Sequence, residues 1–287
     1  MSGDGSTGKC NAFNLKIPAL RIVLLGGGNL AYHLSKALSG LPGYPLVQIW
    51  TRSPKQARAL GVRSNCAFTH RLHELDSRAN LYILCVSDDS IGSLAGELTG
   101  FIPPDAAVIH TSGSKPSTLF KSLYNNYGVL YPLQTFSKQK KINFSGIPLF
   151  ITASNRSTEA LLSHLAHQLS QEVRVIQDSA RLKLHLAAVL VNNFTNYIYT
   201  LTDDYLQSQG LDLRSFYPLI EETLAKLKTM KPAQAQTGPA RRHDKTVIDQ
   251  HLSLLKKLKQ EELQTIYRLF STMIWKKYPL TGPPGRD

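Results

Sequence analysis

The sequence predicts an α/β fold, a doubly wound and mostly parallel sheet over residues 20–177 followed by an all-α domain over residues 178–280. Three observations carry this. From Arg21 onward, short β-rich runs alternate with helical segments, the pattern of strands joined by crossover helices. The runs Ile22-Val23-Leu24-Leu25 and Leu81-Tyr82-Ile83-Leu84-Cys85-Val86 are apolar continuously rather than alternately, as a sheet covered by helices on both faces requires. Beyond about Asp178 the strands cease and long helical periodicity takes over.

Taken in order, Met1 to Leu15 is rich in Gly and Ser and carries Asp4. It has neither the apolar core of a secretory signal nor the Arg-rich, acid-poor character of a transit peptide, so residues 1–19 read as a disordered tail. Strands are expected at Arg21 to Leu25, Leu46 to Trp50, Leu81 to Val86, Ala107 to Thr111, Gly128 to Leu130 and Pro148 to Thr152. In the helical half, the segment Met230 to Asp244, with Pro232, Gly238 and Pro239, is expected to be a loop between helices. Gly282, Pro283, Pro284 and Gly285 mark residues 281–287 as a frayed tail.

Composition bounds the function. A length of 287 residues exceeds the usual size of one hydrophobic core and favours two domains. With 42% hydrophobic and 18% charged residues, and no apolar stretch near the ~20 residues a membrane span needs, the chain reads as soluble with no membrane partner. The net charge of +13 raises nucleic acid as a partner, but the basic residues are spread through Lys138 to Lys141, Arg241 and Arg242, and Lys256, Lys257 and Lys259. Solvated helix faces and sites for small anions explain that spread better than nucleic acid does. Cys10, Cys66 and Cys85 show no pairing and no metal-ligand spacing, which points to a reducing, cytoplasmic setting and no metal.

The first strand runs into Gly26-Gly27-Gly28-Asn29-Leu30-Ala31 and then a helix, a G-x-G-x-x-A turn inside its βαβ unit. Gly26 permits the tight turn, Gly28 lets a pyrophosphate approach the backbone, and Ala31 lets helix and sheet pack closely. The diphosphate would meet unpaired N–H groups at a helix N-terminus. Where NAD binders place an acidic residue after the second strand, this chain has Thr51-Arg52-Ser53, whose guanidinium and hydroxyls suit the 2′-phosphate of NADP. Val86 and Ser87 after the Cys85 strand, and Thr111, Ser112 and Gly113 after the Ile109 strand, end at the edge where such sheets bind ligands. Asp88 and Ser117 read equally as N-caps.

In the largely apolar helix from Ser179, a period of 3.6 places His185, Asn192, Asn196 and Tyr199 on one polar stripe. That stripe faces either a ligand or neighbouring helices and water. His185, whose imidazole can both accept and donate a proton, is the first candidate for general acid or base, with Asn192 orienting substrate and Asn196 beside it. In the loop Thr237 to Asp244, Arg242 and Asp244 either hold an anionic substrate group or serve as a surface ion pair and a helix cap.

The linked stretches Gly26 to Ala31, Ile83 to Asp89, His110 to Gly113, Tyr131 to Phe136, His185-Leu186-Ala187-Ala188 with Asn192-Asn193-Phe194, and Thr237-Gly238-Pro239 with Arg242 and Asp244 resemble a known family. From Arg21 to about Tyr278 the chain is similar to Rossmann-like proteins carrying the C-terminal domain of unknown function 2520. These are relatives of the 6-phosphogluconate dehydrogenase and pyrroline-5-carboxylate reductase group. The resemblance implies a Rossmann NADP-binding domain and an all-α, 6-phosphogluconate-dehydrogenase-like C-terminal domain that supports a homodimer, with substrate in a cleft between them. Related β-hydroxyacid dehydrogenases carry a lysine four residues before a helix asparagine. Here those positions are Ala188 and Val189, so that lysine is absent, and His243 stands where the family usually has glycine. The expected activity is NADP(H)-dependent redox chemistry on a small, carboxylated carbonyl or imine substrate. The alternative is a non-catalytic NADP-binding sensor or dimeric scaffold.

Overall fold

A computed structural model describes residues 20–279, so the expected tails at 1–19 and 281–287 lie outside the described residues. The chain divides into two compact units, Met1–Leu190 and Val191–Asp287.

The first unit is built on β1 (Ile22–Leu25), α1 (Asn29–Ser39), β2 (Leu46–Trp50), α2 (Pro54–Ser64), β3 (Ala67–Thr69), β4 (Leu81–Leu84), α3 (Asp88–Leu98) and β5 (Ala107–His110). It continues through β6 (Tyr127–Pro132), β7 (Leu149–Ala153), α4 (Arg156–Leu169), β8 (Val173–Val175) and α5 (Asp178–Ala188). The sheet order is β3-β2-β1-β4-β5-β6-β7-β8. Neighbours are parallel from β3 to β6, β7 runs antiparallel to β6, and β8 runs parallel to β7. The chain turns back on itself at β1 and β4, and their C-terminal ends border the crevice in which open α/β sheets hold ligands.

The continuous apolar run of β1 has a direct structural cause. Ile22 and Leu24 enter one core with Leu34 and Leu38 of α1 and Leu165 of α4, whereas Val23 and Leu25 enter a second core with Ile91 and Leu94 of α3. Successive strand residues point to opposite faces, and both faces are covered. Each such side chain contributes roughly 1.5–3 kcal/mol by leaving water.

Two strands escaped the sequence reading. β3 and β8 are three residues long, and Ala67, Phe68, Arg174 and Val175 are exposed, so neither shows a run or an alternation. The strands end at Val175, but the first compact unit continues through α5. The reason is Arg181, buried in α5, which donates to Thr152 Oγ1 on β7 at 2.7 Å and to the Lys115 carbonyl at 2.5 Å.

The second unit contains α6 (Thr195–Ser208), α7 (Tyr217–Thr229), α8 (Pro232–Ala235), α9 (Lys245–Lys257) and α10 (Glu261–Lys277). Two expectations need correction. Residues Val189–Phe194 form a π-helical turn, so a 3.6-residue period does not carry from His185 to Asn192 and the four polar residues do not form one regular stripe. The Met230 to Asp244 loop also contains one helical turn, α8, started by Pro232 at its first position, where the missing N–H is not needed. No helix among the described residues is long and apolar enough to cross a membrane.

Candidate functional site

A cavity of about 720 Å³ opens in the first unit at the C-terminal edge of the sheet. It is lined by Gly26 to Leu30 from the β1–α1 turn, Thr51, Arg52 and Ser53 after β2, Val86 and Ser87 after β4, Thr111, Ser112 and Gly113 after β5, and His185 from α5. Of the cofactor residues expected from sequence, Ala31 alone is not part of the lining. It is fully buried against the sheet, the close-packing position assigned to it.

The turn is built for an approaching ligand. Gly26 adopts φ +142°, and a Cβ there would stand 2.1 Å from the Cys85 carbonyl oxygen, so no side chain fits. A Cβ on Gly28 would meet nothing within 4 Å, which leaves its backbone open to the cavity. Gly28 also occupies the N-cap position of α1 and supplies no side-chain cap, leaving the first N–H groups of an 11-residue helix for an anion. After β2, Thr51 Oγ1 donates to the Ser53 carbonyl at 2.7 Å, and Ser53 Oγ accepts from Gln56 N at the start of α2. Ser53 keeps its own proton to donate, beside the exposed guanidinium of Arg52. These features fit a dinucleotide diphosphate at α1 and a ribose phosphate at α2.

The loop after β5 is held by residues that the sequence reading did not single out as functional. His110, fully buried at the strand end, accepts from Ser112 N through Nδ1 at 3.2 Å, and its Nε2 lies 3.4 Å from the Pro116 carbonyl. Nε2 therefore carries the proton, and the ring is neutral. Burial, reinforced by the Arg181 charge, pushes its pKa down to about 4. Ser114 Oγ donates to Asp88 at 2.5 Å, so Asp88 ties two cavity loops together, and the cap position of α3 falls to Ser87. Ser117 likewise is not a cap, because its N–H and hydroxyl both donate to Asp178 at 2.8 Å.

Asp178 and Arg181 fasten α5 and so place His185. They form an ion pair at 2.6 Å, with Arg181 only 1% exposed. Burial alone would raise the Asp178 pKa, but hydrogen bonds from Ser117 and Arg181 outweigh it and hold the carboxyl below its usual range. His185 Nδ1 lies 3.2 Å from the Tyr131 hydroxyl, whose pKa burial pushes up, so the phenol stays protonated. Nδ1 is thus engaged, leaving Nε2 as the remaining polar atom of the ring. A Cβ on Gly113 would come within 2.6 Å of His185 Nδ1 and 2.9 Å of the Tyr131 ring, so a side chain there would displace the His185–Tyr131 pair. Nothing in the local sequence signals the Tyr131 and Arg181 contacts, which join residues far apart in the chain.

Asn192, Asn196, Arg242 and Asp244 belong to the second unit. Asn192 and Asn196 are exposed, as is Arg242. Asp244 caps α9 by accepting from Val247 N at 3.1 Å, and among the described residues it forms no ion pair with Arg242. His243, at φ +58°, stacks on Trp275 with ring centroids 5.7 Å apart and sits 2.6 Å from the Tyr278 carbonyl. Those contacts offset the left-handed strain that a glycine would avoid. Among the described residues, no group of three or more His, Cys, Asp or Glu could hold a metal ion.

Residues 147–274 match the family described as Domain of unknown function (DUF2520). A proposed NADP oxidoreductase from Bacteroides fragilis is 38% identical, with 91% of this chain and 99% of that chain covered at a TM-score of 0.84. The chain belongs to the DUF2520 family. A protein from Thermotoga maritima is 20% identical at a TM-score of 0.68, covering 89% of this chain and 97% of that one. A reductive aminase from Aspergillus terreus, solved with NADPH and ethyl levulinate, is 13% identical at a TM-score of 0.62, covering 87% and 93%. At these identities the last two show a shared fold with this DUF2520 chain. No curated protein matches it.

The buried, neutral His110 holds the loop after β5 in place at the candidate site, and this carries a pH consequence. An unfolded histidine titrates near 6.5, whereas His110 in the fold titrates near 4. Between those values the unfolded chain binds the extra proton, so stability is full above pH 6.5 and falls as pH drops towards 4. The loss approaches ~3 kcal/mol at the low end. Urea titrations of wild type and His110→Asn across this range should show a steeper acid loss in wild type. Parallel curves would contradict the assignment.

Proposed function

We propose that this chain binds NADP(H) in the cavity of its first unit and uses it to reduce a small carbonyl or imine compound carrying a carboxylate, or to oxidise the corresponding alcohol or amine. The reading is carried by one observation: the glycine turn, the Arg52–Ser53 pair and His185 line the same cavity. The name of the 38% identical relative points the same way. A bound nicotinamide supplies hydride chemistry, and the protein supplies orientation and a proton. Here α1 and Gly28 hold the diphosphate, Arg52 and Ser53 hold the 2′-phosphate, and His185, positioned by Tyr131, exchanges the proton. Arg242 holds the substrate anion, and Asn192 and Asn196 orient it.

Arg52→Ala should weaken NADPH binding about ten- to hundredfold, the worth of one charge-assisted phosphate contact, and leave NADH binding unchanged. Calorimetry checks this, and equal losses for both nucleotides would remove the 2′-phosphate role. For the chemistry, NADPH absorbance is followed with a panel of keto acids, aldehydes and imines. Turnover that falls at least a hundredfold in His185→Ala, with NADPH binding retained, supports the proton role. Absence of turnover across the panel favours the sensor reading, which the alanine and valine at positions 188 and 189 also favour.

The proposed assembly is a homodimer formed through the helical unit. Its large apolar side chains Leu219, Leu224, Leu269, Phe270 and Met273 are exposed, and apolar side chains of this size left in water are what a partner surface would cover. Light scattering should give twice the chain mass, and a monomer at micromolar concentration would overturn this.

A further inference from the structure

A second cavity of about 650 Å³ lies in the first unit along α1, and it shares no lining residue with the candidate dinucleotide site. Five cationic side chains line it, Lys36, Arg63, Lys138, Lys140 and Lys141, and no Asp or Glu does. Among the described residues none of the five is in an ion pair. Five like charges around one concavity repel each other, and their field focuses into it.

Part of the site is ordered in advance. The Arg63 guanidinium lies 3.8 Å from the centre of the Tyr32 ring and donates to the Tyr32 carbonyl at 2.7 Å. Lys138 Nζ is 5.9 Å from the same ring and donates to the Gly27 carbonyl at 3.2 Å. The buried His33, with Nε2 2.8 Å from the Ser137 carbonyl, anchors the loop that carries the three lysines. A volume of this size suits a metabolite.

We propose that this cavity is a second binding site, for a small organic or inorganic polyanion carrying two or more phosphate groups. Five cations exceed what a single phosphate or carboxylate needs. Their gathering into one concavity, rather than along an open stripe, favours a compact ligand over a nucleic-acid backbone.

The test uses sodium tripolyphosphate as the probe, titrated calorimetrically into the full chain. Wild type should bind one equivalent per chain saturably. Lys140→Glu with Lys141→Glu, both exposed and outside the core, should weaken that binding at least tenfold, and Arg63→Ala should weaken it independently. Two controls should leave it unchanged: Arg52→Ala at the dinucleotide cavity, and Lys256→Glu with Lys257→Glu on the second unit. Unfolding curves matching wild type show that the lysine variants fold. Non-saturable binding overturns the proposal, as does unchanged affinity in the Lys140/Lys141 variant or a loss confined to Arg52→Ala. A duplex oligonucleotide that binds tightly and loses its binding with the same lysines, while tripolyphosphate does not saturate, would assign the surface to nucleic acid instead.

Discussion

Gly26→Ala is expected to abolish dinucleotide binding and to destabilise the first unit by about 3 kcal/mol. The Cβ would stand 2.1 Å from the Cys85 carbonyl oxygen, and the atoms it meets are backbone at the end of β4, which cannot swing aside. Overpacking of a core typically costs ~1–3 kcal/mol, and a left-handed backbone forced on a side-chain residue adds about 1–2 more. Relief requires β1 and β4 to part or the turn to change course, and either displaces Gly28 and the N-terminus of α1. Urea unfolding reads the stability, and NADPH titration of the folded fraction reads the binding. A variant that binds NADPH as wild type does would show that the turn is not the cradle described.

Arg181→Ala should cost about 3–5 kcal/mol, the usual penalty for removing one partner of a buried ion pair. The guanidinium serves Asp178, Thr152 and Lys115 at once, so its loss removes the donor to Asp178 Oδ1, Thr152 Oγ1 and the Lys115 carbonyl together. The functional consequence goes beyond stability. α5 loses its bond to Thr152 on β7 and its bond to the Lys115 carbonyl after β5, keeping only the Ser117–Asp178 contacts at its first residue, and the placement of His185 beside Tyr131 and Gly113 loosens. A double-mutant cycle with Asp178→Asn isolates the pair, and a coupling above about 0.5 kcal/mol is expected for residues in one network. Additive losses would mean that the two residues act separately.

These two residues also mark how far the sequence could be read. Gly26 was legible because its role is local: an apolar strand, a turn of fixed spacing and a helix stand in consecutive order, and chain geometry does the rest. The same holds for Arg52 and Ser53 after β2, and for the loops after β4 and β5, since parallel strands deliver their C-terminal ends to one edge. Arg181 was not legible, because its partners lie 29 and 66 positions away and only the folded sheet brings them together. His110 reads as one more residue of a strand end until its burial and its two backbone partners are seen. The polar stripe after Ser179 failed for a different reason. A π-helical turn changes the period within the helix, and the side chains of Val189–Phe194 carry no mark of it. The antiparallel entry of β7 was equally silent, since a buried strand looks the same in either direction.

The most direct measurement is calorimetric titration of the purified full chain with NADPH and, separately, with NADH. One NADPH should bind per chain with micromolar or tighter affinity, and NADH at least tenfold more weakly. If neither nucleotide bound at millimolar concentration, the glycine turn would not hold a diphosphate and the proposed function would be wrong.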